Sequence, residues 1–409
     1  MDCTLSDAAG AASGKTSGTP SARIVVFPSA LLVAFATVPD PRRRQGISFA
    51  LPAILALAVA AILSNHLSVL AIAEWGASQS PQLLHALGFP DGVTPHQSTL
   101  QRLFYKLDPD QLSAALTRHF ANSLTSTPRP RASQGVAIDG KAQRGRLAFD
   151  SAGCPILILS AFLHDEGIVL AQEPIDNHGP SNKVEAELTV APDLLKRVDW
   201  HGRVMTGDAF FCQRSLCEQV TQAGGDYLFP VKENQPTLYE DIRLLFDPSA
   251  NSLPLDDRRE ARTVGDGHGR HRDGRHLIAS TELVGYSDWP ALAQLFRLER
   301  TWQEQGQSKS EIHYGVTSLP PEPADTGRLL ALRRGHWHIE NSLHRVKDVT
   351  LGEDRSLIHS GNGPSILAML RDLAINLLRQ AGYRTFGNRL RFYSRHPEQA
   401  VALITGISP

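Results

Sequence analysis

Residues 136–146 read VAIDGKAQRGR. An apolar run meets an aspartate, a glycine, a lysine and two arginines, the pattern of a buried strand whose end carries polar chemistry. On its amino side TSTPRPRAS, residues 125–133, is a Pro- and Arg-rich linker, and across it the apolar spacing changes from helical to strand-like. A sheet therefore begins here. QGVAID, CPILILSAFL, GIVLAQEPI, RVMTGD and DYLFPVK supply five strands, mostly too apolar to leave one face in water, so the sheet is covered on both sides. Helices over residues 184–197 and 213–222 fall between the later strands, which predicts a mixed α/β sheet.

Working outward, residues 1–24 are a Ser/Gly/Ala/Thr-rich tail without the apolar core of a signal peptide. Residues 25–127 read as an all-α domain, punctuated at Asp40-Pro41, Gly88-Phe89-Pro90 and Asp108-Pro109. Within it FALPAILALAVAAIL would attract a hydropathy scan. Its apolar run from Phe49 to Leu63 stops at Ser64, Asn65 and His66, short of the roughly 20 residues that span a bilayer. A buried core helix is expected. VTPHQSTLQRLFYKL places Leu100, Leu103, Phe104 and Leu107 on one face and Gln101, Arg102 and Lys106 outward, as either a DNA-reading helix or an ordinary surface helix would. Residues 133–246 form the first part of the α/β core. Residues 247–323 are a β-rich insertion holding RHLIASTELVG, QLFRLERTWQ and SEIHYGVTSL, and residues 324–396 return to the core through a helix that Asp325 could cap.

The 409 residues are ample for several domains, and a mean hydropathy of -0.19 with 20% charged residues excludes fibrous and disordered classes. Cys3, Cys154, Cys212 and Cys217 are too scattered for a zinc framework or a disulfide scaffold, which fits a reducing cytoplasm. The net charge is -1, yet residues 328–395 hold 12 Lys plus Arg against 5 Asp plus Glu. A phosphate-binding surface is expected on and after the late helix, with a solvated helix face as the plain alternative.

Three carboxylates stand where chemistry would want them: Asp139 at the end of the first strand, Asp208 just after the fourth and Glu340 on the late helix. If the first and fourth strands are neighbours, their ends converge and the helix brings the third group. Such oxygen ligands suit two Mg²⁺ ions for phosphoryl transfer, whereas by spacing alone they could be three surface acids. Lys141, Arg144 and Arg146 follow Asp139 as a phosphate-facing cluster; Lys232, Asn234 and Gln235 end the fifth strand; Lys347 lies two α-helical turns after Glu340. His336, Glu340 and His344 recur every four residues and offer a rival reading, a zinc hydrolase.

The chain resembles the ISAs1-type transposases of bacterial insertion sequences, which include the H-repeat-associated proteins, within the DDE transposases. The resemblance is carried by DPR at Asp40–Arg42, AIDGK at Ala137–Lys141, TGDAFFCQ at Thr206–Gln213, DYLFPVKENQP at Asp226–Pro236 and HWHIENSLHRVKDVTLGED at His336–Asp354. It implies an RNase H-like five-stranded mixed sheet interrupted by the β-rich insertion and preceded by the helical domain. It further implies a triad of Asp139, Asp208 and Glu340 holding two Mg²⁺, with Mn²⁺ able to substitute, for DNA cleavage and strand transfer. Expected DNA contacts are Lys141, Arg144, Arg146, Lys232, Asn234, Gln235, Asn341, His344, Arg345 and Lys347, the last restoring a Glu-x6-Lys relation. The implied partners are terminal inverted repeats and target DNA, bound by a homodimer or larger assembly in the nucleoid. A transposase that has lost catalysis and only binds DNA is the other alternative.

Overall fold

The computed structural model describes residues 29–124, 130–142, 157–175, 183–247, 255–266, 272–304 and 307–406. The expected tail, Arg144, Arg146, Cys3 and Cys154 lie outside the described residues.

Six helices come first: α1 (Ala30–Ala36), α2 (Leu51–Leu63), α3 (Val69–Ala77), α4 (Pro81–Leu87), α5 (Gln97–Lys106) and α6 (Pro109–Leu124). The FALPAILALAVAAIL stretch forms α2, and every residue of that helix except Pro52 is buried. A helix apolar all round must be wrapped by others. Here α1 and α3 pack against it from its own end of the chain, and α11 (Gly363–Gln380), α12 (Gly387–Arg395) and α13 (Pro397–Thr405) from the other. No helix of the described residues is long and apolar enough to cross a membrane. The DPR word closes the loop leading into α2: Arg42 grips Asp40 through Nη2 at 2.6 Å and also donates to the Phe49 carbonyl at 2.7 Å. Leu100, Leu103 and Phe104 of α5 are buried, while Arg102 and Lys106 face solvent.

The sheet has nine strands in the order β3-β2-β1-β4-β5-β9-β8-β7-β6, which corrects the expected five. The five expected strands are β1 (Gln134–Ala142), β2 (Leu157–Leu163), β3 (Val169–Ile175), β4 (Arg203–Thr206) and β5 (Asp226–Val231). β1 runs parallel to β4, and β4 parallel to β5; the β1-β2 and β2-β3 pairs are antiparallel. The insertion adds β6 (Arg259–Asp266), β7 (Arg272–Ser280), β8 (Gln294–Glu304) and β9 (Gln307–Thr317) to the same sheet, because β9 pairs with β5 from Leu228 opposite Thr317 to Val231 opposite Tyr314. The reason is the β5 edge. A strand buried along its length leaves a row of unpaired backbone groups unless another strand covers it.

Three helices, α7 (Lys183–Lys196), α8 (Arg214–Gln222) and α9 (Pro236–Leu245), follow β3, β4 and β5 respectively. After β9, Asp325 accepts the Arg328 backbone N–H at 2.8 Å and starts α10 (Thr326–Gly335), as its capping chemistry predicts. Leu329, Leu330 and Leu332 of α10 share a second core with Leu277, Ala279, Phe296 and Leu298 of the insertion. The inserted strands thereby hold the helix that leads to Glu340.

Candidate active site

Asp139 and Asp208 lie just beyond the parallel pairing of β1 with β4. Asp208 follows the end of β4, whereas Asp139 is within β1, which continues to Ala142 against β2 and so does not end at Asp139 as expected. The last paired residues of β1 and β4 are Ala137 and Thr206, and each aspartate lies two residues beyond its partner of that pair. Adjacent strands are about 4.8 Å apart, so the register alone brings the two positions together. Asp139 Oδ1 accepts the Gly140 N–H at 2.9 Å, and Asp208 Oδ1 accepts that of Phe210 at 2.9 Å. Glycine at 140 makes room for a neighbour: a Cβ there would stand 2.0 Å from Oε1 of the buried Glu187 on α7. Asn234 and Gln235 donate to the carbonyls of Ala209 at 2.8 Å and Cys212 at 3.0 Å. These two amides, expected on DNA, brace the turn after Asp208.

Glu340 is carried by backbone of unusual winding. Glu340–His344 and Val346–Thr350 are π-helical, with the N–H of Arg345 bonded to the Glu340 carbonyl and that of Leu351 to the Val346 carbonyl. Such i→i+5 turns take nearly one residue more than an α-turn and recur at functional sites. Four residues then complete almost a full turn, so His344 falls under Glu340. Its Nδ1 is 3.5 Å from Glu340 Oε2 and 3.6 Å from Asp139 Oδ2. One donor atom from each of Asp139, Glu340 and His344 lies within 4.8 Å of the others. Asp208 is absent from that cluster but lines the same cleft, together with Lys232 and Asn341.

The same winding overturns the expectation for Lys347. Seven residues on from Glu340 ends roughly half a turn away in a π-helix, whereas in an α-helix it would return to the same face. Lys347 is 2% exposed, with Nζ 2.9 Å from Asp372 Oδ2 and 3.4 Å from Glu353 Oε1. Burial opposes its charge, but Asp372 and Glu353 together hold its pKa above the ordinary lysine value. Lys141 is drawn in likewise: it is 8% exposed and 2.6 Å from Asp348 Oδ1, with Glu353 Oε2 at 3.8 Å. Neither lysine is placed to meet a phosphate at the surface. Lys232, Asn341 and Arg345 are exposed.

Two histidines line the same cleft, His164 buried and His336 half-buried. His164 Nε2 is 3.0 Å and His336 Nδ1 is 3.3 Å from Thr206 Oγ1. His336 is therefore turned toward β4 and is not among the three clustered donors, and Asp139 stands in the place the zinc reading gave it. Gly135 and Gly335 accommodate the His164 ring, since a Cβ on either would lie 2.2 or 2.3 Å from its Nδ1. Burial first, then the positive groups around each ring, push both histidines down to about 3. An unfolded histidine titrates near 6.5. The folded state thus binds fewer protons between about 6.5 and about 3, and stability from this pair is complete above that window and lost as pH falls through it. We expect urea unfolding below pH 6.5 to show a shallower pH slope in His164→Gln than in the wild type, by up to about 1.4 kcal/mol per pH unit. Equal slopes would show that His164 does not remain neutral.

The cleft measures about 1030 Å³ and runs from Asp139, Asp208 and Glu340 along α10 to the charged face of the insertion, reaching Arg275, Arg300, Glu311 and His313. Arg333 lines it as well; burial draws its guanidinium below the usual arginine range while Asp208 and Glu311 pull the other way. Trp337, 58% exposed, stands at the mouth. Sequence reasoning missed this wall, because pairing of β7 with β8 and of β8 with β9 brings its charges together and no single motif does.

The family model described as "Transposase DDE domain" matches residues 133–377, and the one described as "DDE_Tnp_1-associated" matches residues 32–120. The chain belongs to the DDE transposase family. Among its relatives, the "Uncharacterized protein in dhlA 3'region" of Xanthobacter autotrophicus is 31% identical over 71% of this chain and 94% of its own. The "H repeat-associated putative transposase YhhI" of Escherichia coli strain K12 is 27% identical over 85% of this chain and 90% of its own. Among solved structures, a piggyBac transposase synaptic complex with hairpin DNA aligns over 92% of this chain and 79% of its own, with 12% identity and a TM-score of 0.42. In this DDE transposase the donor set fits a divalent cation: two carboxylates and one imidazole converge, with a third carboxylate in the same cleft.

Proposed function

We propose that this transposase cuts and rejoins DNA at the ends of a bacterial insertion sequence, using Asp139, Asp208 and Glu340 on an RNase H-like core formed by β1–β5. The observation that carries this reading is the convergence of Asp139, Glu340 and His344 within 4.8 Å at the head of the Asp208 cleft. Two bound cations, Mg²⁺ or Mn²⁺, would activate an attacking oxygen and stabilise the leaving one. Asp139 would hold them from β1, Asp208 from just beyond β4, and Glu340 from the helix. Lys232 and Arg333 line the cleft and would hold the phosphates on either side of the scissile bond, while Asn341 orients the strand. First water and then a DNA 3′-hydroxyl would attack in line, with no covalent bond to the protein. The substrate DNA would be terminal inverted repeats and then target, bound by a homodimer or larger assembly in the nucleoid.

A supercoiled plasmid bearing the element's ends, incubated with protein and Mg²⁺ or Mn²⁺, tests this. We expect strand cleavage at the ends, with binding that weakens steeply as salt is raised. Binding without cleavage in either metal would overturn the catalytic reading and leave a protein that only holds DNA.

A further inference from the structure

We propose that His344 is itself a metal ligand, so that the subsite shared by Asp139 and Glu340 coordinates through one imidazole nitrogen and two carboxylates and favours Mn²⁺-like ions over Mg²⁺. The proposal rests on the catalytic reading above and adds a donor that a set of three carboxylates lacks. His344 is 6% exposed, and its Nε2 is buried with no hydrogen-bond partner among the described residues. Its Nδ1 faces two carboxylates at 3.5 and 3.6 Å, beyond the 2.7–3.2 Å or so of a good N–H···O bond. A ring buried on those terms loses its hydration without making full use of protein partners.

A cation bound at Nδ1 completes what the two long carboxylate contacts leave undone at that nitrogen, the ring proton then residing on Nε2. Donors bound at about 2.1 Å to one octahedral ion stand about 3 Å apart when adjacent, so small shifts of three atoms already within 4.8 Å would close around it. The π-helical turn sets Glu340 and His344 on one side of the helix, where both approach Asp139 of β1. Ligand chemistry then decides the preference. Mg²⁺ takes oxygen donors and keeps much of its water, whereas imidazole suits transition-series divalent ions, whose affinities rise from Mn²⁺ onward.

The test uses the full chain without DNA. Mn²⁺ is titrated in while free ion is followed by its EPR signal, and the bound ion is examined by pulsed EPR for ¹⁴N coupling. We expect directly coordinated nitrogen in the wild type, no such coupling in His344→Gln, and at least about tenfold weaker Mn²⁺ binding in that variant. Excess Mg²⁺ should displace Mn²⁺ readily from His344→Gln and poorly from the wild type. Bound Mn²⁺ without nitrogen coupling in the wild type would overturn the proposal with no variant needed. So would coupling that survives in His344→Gln, which would assign the nitrogen to another ring. Cleavage by a protein lacking the nitrogen signal would sink this inference alone; a nitrogen signal without cleavage would sink the catalytic reading alone.

Discussion

Asp139→Asn is expected to reduce cleavage of element-end DNA by at least about a thousandfold, leaving the fold and DNA affinity close to wild type. Asp139 is the carboxylate common to both halves of the site: it clusters with Glu340 and His344, and the β1-β4 register sets it beside Asp208. An amide of the same shape removes its charge without disturbing packing. Its side chain is 21% exposed, so the change leaves little buried cost. A thousandfold loss corresponds to about 4 kcal/mol of transition-state stabilisation, within what metal-held chemistry supplies. The comparison is made by single-turnover cleavage alongside a DNA-binding isotherm and an unfolding curve. Cleavage persisting within tenfold of wild type would remove Asp139 from the chemistry. Loss of folding would instead make it structural.

Lys347→Met should destabilise the transposase by about 3–5 kcal/mol, the usual cost of removing one partner from a buried ion pair. Lys347 joins a buried cluster with Asp372, Glu353 and Arg371. Lys141 and Asp348 tie that cluster to β1, and Gln172 on β3 donates to Asp372. Removing the ammonium leaves carboxylates in a dry interior with too little positive charge. The double change Lys347→Met/Asp372→Asn should recover much of the loss, because it removes the uncompensated charge as well. Urea unfolding at pH 7 measures both. A lysine that held a phosphate would behave differently: the single variant would keep its stability, lose DNA affinity and lower the salt slope by about one. That outcome would overturn the structural role assigned here.

Much of this architecture was legible locally. The five core strands announced themselves as apolar runs between turn residues, α2 as an apolar stretch too short for a bilayer, and α10 by its Asp325 cap. Asp139 and Asp208 stood out as acids at the close of the first and fourth apolar runs and Glu340 as an acid on the late helix, and family motifs then singled them out. Two kinds of feature were not legible. β6, within REARTVGD, is broken by charges and a glycine, and nothing in its own residues shows that the insertion extends the core sheet through the β5-β9 pair. Nor did the spacing of Glu340 and Lys347 reveal which helix they occupy.

The chain alone therefore determined where the five core strands and α10 form, that α2 is core, and which carboxylates could do chemistry, since each follows from periodicity and side-chain type over a few consecutive residues. Tertiary structure decided which cations are buried and which are exposed, and that His344 rather than Lys347 stands under Glu340. Those outcomes depend on helical winding and on pairing between segments far apart in sequence. A change from i→i+4 to i→i+5 turns a side chain to another face without altering a single residue.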